Sequence, residues 1–458
     1  MLTVNDLTVA IGAGRPVDGV SFAIAAGETF ALLGESGCGK SMTALALMRL
    51  LPNAARHAGG SVALAGRELL ALPEAQMRTV RGGGMAMIFQ EPATSLNPVM
   101  TVGRQIGEAL SLHGAPKAGS PGEVKVTLGG GGADGRALDL LAAVGIPDPA
   151  RRLGEYPFQM SGGMKQRVMI AMALAGEPQL LIADEPTTAL DVTIQAQVLD
   201  VLRDLQASRG MALLLITHDL GVVARMADRI GVMYAGQLVE VAPRAEFFRN
   251  PAHPYARRLF AALPDATRRG GRLATIPGSV PPLDAGFTGC RFAGRCDAAM
   301  AVCRHEAPPW RELAGGQQVR CHLDFSAGAA VLPALERTAA PVAVERAAAA
   351  PLLDVADLKV HFPIRRGLLQ RTVGQVRAVD GVSLALAAGR TLALVGESGC
   401  GKTTAGKAIL RLVAPTGGSV RLAGRTLDVG SVAAMRAAVQ MVFQDPFGSL
   451  NPRLRIGA

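Results

Sequence analysis

A stretch of this sequence occurs twice, and that repetition constrains the fold more than any other feature. Val17–Lys40 reads VDGVSFAIAAGETFALLGESGCGK, and Val379–Lys402 reads VDGVSLALAAGRTLALVGESGCGK. Met87–Pro98, MIFQEPATSLNP, recurs as Met441–Pro452, MVFQDPFGSLNP. Two matched blocks in the same order mean a duplicated domain. A length of 458 residues leaves room for two or three units. The second copy stops at Ala458, six residues after Pro452, whereas the first continues from Pro98 to near Asn250. The expected division is a complete domain over 1–250, a segment of different character over 251–325, a linker over 326–351 rich in Ala and Pro, and the front half of a second domain over 352–458.

Within the first copy, short apolar runs at Thr29–Leu33, Leu180–Ala183 and Ala212–Ile216 have the length of buried strands. They alternate with helical patterns at Ser41–Leu51 and Thr193–Leu205, the first of which Pro52 should end. The alternation predicts an α/β domain with a mainly parallel sheet. A Gly-rich patch, Gly114 to Gly135, interrupts an otherwise helical stretch and reads as a surface loop.

Gly34-Glu-Ser-Gly-Cys-Gly39-Lys40-Ser41 follows a strand and opens a helix, the setting in which this spacing becomes a phosphate loop. Glycines such as Gly34, Gly37 and Gly39 let the backbone wrap phosphate with its N–H groups, together with Ser36 and Cys38, and the helix N-terminus adds positive potential. Lys40 would reach the outer phosphates and Ser41 would ligate Mg²⁺. The second copy repeats the pattern with Gly396, Gly399, Gly401, Lys402 and Thr403. Cys38 and Cys400 read as small loop residues rather than nucleophiles.

Further motifs in the first copy resemble those of ABC-type ATPases and cover nearly all of residues 1–240. Met160-Ser161-Gly162-Gly163-Met164-Lys165-Gln166-Arg167 is similar to the signature sequence, opening a helix over Gln166–Ala175. Leu180-Leu-Ile-Ala-Asp184-Glu185 looks like a Walker B strand, Ala189-Leu190-Asp191 like the loop after it, and His218 like the switch histidine at a strand end. Gln90, after Met87-Ile-Phe89, resembles the glutamine of the Q-loop; its second-copy counterpart is Gln444. The resemblance implies a P-loop fold of ABC type with a helical subdomain, a cysteine-containing C-terminal extension and a partial second copy. It implies that Asp184, with Ser41 and Gln90, holds Mg²⁺, that Glu185 activates the attacking water, and that His218 contacts the γ-phosphate. Ser161, Gly162 and Gly163 would close in trans over nucleotide on another domain's phosphate loop. Family members often stack adenine on an aromatic residue where this chain has Ile11 in the first copy and Phe362 in the second.

Asn250-Pro-Ala-His253-Pro254-Tyr255, with Cys290, Cys296, Cys303 and Cys321, is similar to the tail of dipeptide and oligopeptide importer ATPases, a group that includes nickel and glutathione importers. That resemblance implies ATP and Mg²⁺ as cofactors, integral membrane permease subunits as partners, and through them a periplasmic solute-binding protein. It also implies a second ATPase domain or a homodimer, and a peripheral place on the cytoplasmic face of the inner membrane. The four cysteines are spaced C-x5-C-x6-C-x17-C, which leaves three readings: a [4Fe–4S] cluster as in some members, a Zn²⁺ site, or packing thiols.

The net charge of +10 admits a nucleic-acid reading, but the basic residues are scattered and not interleaved with aromatics, so no nucleic-acid partner is expected. No run approaches the roughly 20 apolar residues of a membrane span, and the N-terminus lacks an export pattern, so a cytoplasmic chain is expected. A soluble tandem ATPase acting on ribosomes or DNA shares every ATP motif and is the rival reading. A non-functional remnant is a third. The second copy is expected to lack the later strands of its sheet, leaving an unpaired edge.

Overall fold

The computed structural model describes residues 1–113, 132–188, 190–262, 275–325, 351–366, 371–397, 399–427, 437–443, 449, 451 and 453–455. Gln444, Ala189, most of the Gly114–Gly135 patch and nearly all of the 326–351 segment lie outside these. The chain divides into two units, Met1–Pro341 and Val342–Ala458.

The first unit opens with an alternating pattern that is interrupted at Asp6, and it folds as antiparallel strands that the α/β reading did not include. Strands β1 (Leu2–Ile11) and β2 (Gly14–Ile24) pair with each other, β1 also pairs with β4 (Ala55–Leu64), and β4 pairs with β5 (Arg67–Glu68). Along β1 buried and exposed residues alternate: Leu2 and Val4 are buried while Thr3 and Asn5 are exposed. One face is apolar and the other wet, as an antiparallel sheet allows.

The remaining strands of the unit form one mixed sheet. In chain order these are β3 (Thr29–Leu33), β6 (Met85–Ile88), β7 (Leu180–Asp184), β8 (Ala212–Thr217), β9 (Arg229–Tyr234), β10 (Gln237–Pro243), β11 (Trp310–Glu312) and β12 (Gln318–Arg320). Their spatial order is β11-β12-β10-β9-β3-β8-β7-β6, parallel from β6 to β9 and antiparallel from β9 to β11. The parallel strands are buried on both faces and therefore read as continuous apolar runs. Leu214 and Ile216 point into the core shared with the antiparallel sheet, and Leu213 and Leu215 into a second core under the helices Val102–His113, Gly132–Ala143, Gly162–Leu174 and Val192–Arg209. Because β12 pairs with β10, the sheet runs without a break from residues before 250 into the extension.

Two local expectations need correction. The helix after the phosphate loop spans Lys40–Leu47 and stops before Pro52: Arg49 takes a left-handed φ of 52°, and the Leu50 N–H turns back to the Leu45 carbonyl. Gly132 and Gly135, the end of the Gly-rich patch, lie in the Gly132–Ala143 helix rather than in a loop.

The second unit contains β13 (Pro351–Arg366), β14 (Arg371–Ala387), β15 (Gly417–Leu422) and β16 (Arg425–Thr426), in spatial order β14-β13-β15-β16, and the helix Lys402–Ile409. This repeats the antiparallel sheet of the first unit. The counterpart of β3, Thr391–Val395, is not a strand: Leu392 and Leu394 are each 49% exposed and Val395 86%. In place of the expected sheet with one open edge, the described residues give that segment no sheet at all.

Candidate nucleotide site

The strand β3 ends at Leu33, and the chain wraps through Gly34–Gly39 into the helix that starts at Lys40. The wrap needs glycine at its end. Gly39 has φ 108°, and a Cβ there would lie 2.1 Å from the Pro16 carbonyl oxygen. Ser36 and Gly37 are exposed at the loop's crest, and Cys38 is buried beneath it with its thiol pushed up by burial, consistent with a packing residue. Lys40 is buried, and its Nζ donates to the carbonyls of Gly34 (2.8 Å) and Glu35 (2.9 Å).

One parallel strand, β7, brings both acidic residues to the end of the sheet at which the loop leaves β3. Asp184 closes β7 at 3% exposure, and the Ser41 hydroxyl hydrogen-bonds its carboxylate. Its Oδ1 is buried without a hydrogen-bond partner. An acceptor left bare beside a serine hydroxyl fits a hard divalent cation, whose ligands are oxygens. Burial raises the Asp184 pKa; the Ser41 hydrogen bond opposes that, and the Glu185 charge adds to it.

Glu185 follows with a left-handed φ of 48°, unusual for a side chain with a Cβ. Its carboxylate gathers three partners. Gln90 Nε2 donates to Oε2 (3.1 Å), Thr188 Oγ1 donates to Oε2 (2.8 Å), and His218 Nδ1 lies 3.2 Å from Oε1. Burial pushes this carboxyl up, but the bonds from Thr188 and His218 outweigh it, with the His218 and Lys40 charges, and hold it below the usual range. Thr188 was not among the sequence candidates; its place one turn after Glu185 is the signal that could have found it.

Lys40, Ser41, Gln90, Asp184, Glu185 and His218 thus converge. Ser161 is elsewhere in role: it caps the Gly162–Leu174 helix, its Oγ accepting from Met164 N (3.3 Å). Ser161 and Gly162 are exposed, and a Cβ on Gly163 would lie 2.5 Å from Ile194 Cγ2. Ile11 is 37% exposed and Phe362 43%. In the second unit the loop keeps its local shape, with Lys402 Nζ donating to the carbonyls of Gly396 and Glu397 (2.6 Å each), Gly399 at φ 85°, Gly401 at φ 100°, and Thr403 in the helix that follows.

The four extension cysteines do not fit a metal as they stand. Among the described residues no group of three His, Cys, Asp or Glu side chains is placed to hold an ion. The thiols still sense each other: Cys290 and Cys296 are pushed up to about 11, chiefly by burial and in part by the charges of neighbouring cysteines. Cys303 and Cys321 are buried. No described helix is long and apolar enough to cross a membrane.

Comparison with known proteins agrees with this geometry. Residues 17–188 and 379–458 match the family described as "ABC transporter". Residues 239–303 match "Oligopeptide/dipeptide transporter, C-terminal region". The chain is 42% identical to the peptidoglycan transport ATP-binding protein YejF of Agrobacterium fabrum, over 100% of this chain and 69% of that protein. It is 43% identical to the oligopeptide transport ATP-binding protein OppD of Mycobacterium tuberculosis, over 100% and 74%. It is 52% identical to the probable peptide ABC transporter ATP-binding protein y4tR of Sinorhizobium fredii, over 67% and 89%.

Proposed function

Because the chain belongs to the ABC transporter ATPases, in the branch of peptide-importer ATP-binding subunits, we propose that its first unit hydrolyses MgATP to drive uptake of peptides or related small solutes through separate membrane permeases. The observation that carries this reading is the convergence of Lys40, Ser41, Asp184, Glu185 and His218 at one end of a parallel sheet. In this reading the loop N–H groups and Lys40 hold the phosphates, and Lys40 leaves the Gly34 and Glu35 carbonyls to do so. Asp184 Oδ1 and the Ser41 hydroxyl, with Gln90 nearby, would hold Mg²⁺, which supplies charge neutralisation on the phosphates. Glu185, kept ionised by its partners, orients a water and takes its proton as the water oxygen bonds to the γ-phosphorus and the bond from that phosphorus to the bridging oxygen breaks, ADP leaving with that oxygen. His218, with Nδ1 3.2 Å from Glu185 Oε1, would contact the γ-phosphate. Ser161, Gly162 and Gly163, exposed at a helix start, are suited to close over nucleotide on a second domain, whether another copy of this chain or a separate ATPase subunit.

The partners and location follow from the same reading. The subunit sits peripherally on the cytoplasmic face of the inner membrane, with the permeases and, through them, a periplasmic binding protein. Cargo varies among the named relatives, from peptidoglycan to oligopeptides, so cargo is chosen outside this chain. The rival reading, a soluble ATPase on ribosomes or DNA, is not favoured, since the relatives are transport proteins and residues 239–303 match a transporter tail. For the cysteines we draw no step through a cluster and read them as packing thiols. Iron and zinc content of anaerobically purified protein tests that reading, and a stoichiometric metal would reverse it. For the main proposal, the tagged chain should co-purify from host membranes with integral permease subunits, and Lys40→Ala should abolish peptide uptake. Recovery of ribosomal RNA or DNA in place of permeases would overturn it.

A further inference from the structure

The phosphate loop carries one acidic residue, Glu35, which none of the roles above employs. A carboxylate at the first turn of a loop that receives a polyanion opposes binding unless its charge is cancelled. In this fold a residue 260 positions away cancels it. Arg295 Nη1 lies 2.7 Å from Glu35 Oε2, and Arg295 Nη2 lies 3.1 Å from Oε1, a two-pronged pair with the guanidinium side chain only 9% exposed. The remaining donors of Arg295 fix it in place. Nε donates to the Pro277 carbonyl (2.8 Å), Nη2 to the Ile276 carbonyl (3.2 Å) and Nη1 to the Tyr234 hydroxyl (3.3 Å). The same loop residue is held at its backbone as well: Glu35 N–H donates to the hydroxyl of fully buried Tyr255 (2.9 Å). Tyr255 and Arg295 both belong to the extension: Tyr255 packs with Tyr234 and Phe292 in one aromatic cluster, and the Arg295 guanidinium lies over the Tyr234 ring.

We propose that Arg295 is a positioning residue for the nucleotide: by neutralising Glu35, with Tyr255 anchoring the same turn, the C-terminal extension sets the affinity of the first phosphate loop for the triphosphate. The inference rests on the nucleotide site proposed above and adds to it a charge balance spanning residues 35 and 295. Removing Arg295 exposes a negative charge to the phosphates, whereas removing the Glu35 charge leaves an unspent positive one. The two substitutions therefore act in opposite directions, and both effects scale with the charge of the ligand.

The test measures binding of MgATP, MgADP and adenosine by equilibrium dialysis to the full 458-residue chain, in a Lys402→Ala background so that the first loop is read. Arg295→Ala should weaken MgATP roughly 5- to 10-fold, MgADP less and adenosine not at all, with a larger deficit at low salt. Adding Glu35→Gln should restore MgATP binding to within about 2-fold of the parent, and Glu35→Gln alone should tighten it. A purely structural role gives the opposite pattern: equal losses for all three ligands, no rescue, and weaker binding in Glu35→Gln, and any of these overturns the inference. The single Glu35→Gln variant keeps the test decisive even where Arg295→Ala fails to fold. A parent chain that binds no MgATP would overturn the nucleotide site itself, and this inference with it.

Discussion

Asp184 and Glu185 are neighbours in sequence, yet their surroundings separate them. Burial raises the first, whose Oδ1 is bare, and hydrogen bonds from Thr188 and His218 lower the second. One is suited to give its charge to a cation and the other to stay ionised as a base. In the sequence this division of roles was available only through the family resemblance, because Glu185 lies beyond the end of β7 with a left-handed φ of 48°, where strand alternation does not fix its direction. The role of His253 was not legible there at all. It is fully buried, its Nδ1 accepts from Tyr255 N (3.1 Å) to cap the Pro254–Ala261 helix, and burial pushes its pKa down to about 3. The folded protein therefore keeps this ring neutral where the unfolded chain protonates it. Its contribution to stability is fully present above the unfolded value near 6.5 and is lost progressively as pH falls toward 3. At pH 5 the loss should be about 2 kcal/mol. Melting curves from pH 7.5 to 5 should fall more steeply for the parent than for His253→Asn, which keeps a capping oxygen; parallel curves would show that His253 does not titrate in this way.

At the scale of elements, one sequence pattern has two outcomes. Thr29–Leu33 is a fully buried strand between β8 and β9, while the nearly identical Thr391–Val395 forms no strand and exposes Leu392, Leu394 and Val395. A five-residue apolar run has no ladder partners of its own. It becomes a strand only where neighbouring strands arrive from distant sequence, and the described residues of the second unit supply none. The loop and helix that follow need no such partners, so Lys402 and Gly401 keep the local geometry of Lys40 and Gly39. Local sequence thus made the phosphate loop legible in both copies but could not say whether its strand would form. Hydrogen exchange reads the difference: amides of residues 391–395 should exchange roughly 100-fold or more faster than those of 29–33. Equal protection would mean that the second strand is formed after all. The helix after the first loop teaches the same lesson in reverse. Pro52 looked like its terminator, but the turn at Arg49 closes it earlier.

At the scale of the whole chain, the duplication and the family are legible in the sequence, because repeats and motif spacing survive without tertiary information. What could not be read was the way the extension joins the first unit. Glu240 is buried in β10 and accepts from the N–H groups of Ala252 and His253 and from Gln317 Nε2, stitching the tail onto the sheet. The sequence carries no periodic sign of contacts made across such distances, such as the pairing of β10 with β12 from either side of residue 250. Among the described residues, one pair of strand-end carboxylates of this kind lies close enough to Lys40 to feel its charge. Steady-state hydrolysis should therefore fall roughly 100-fold in Lys40→Ala and change less than about 3-fold in Lys402→Ala. A loss in Lys402→Ala as large as that in Lys40→Ala would place the working site in the second unit. The central claim is that Glu185 is the base of a MgATP-hydrolysing site. It is tested most directly by single-turnover hydrolysis alongside MgATP binding in the parent and in Glu185→Gln. The account predicts unchanged binding with hydrolysis slowed by about 10²- to 10⁴-fold; parental hydrolysis rates in Glu185→Gln would contradict it.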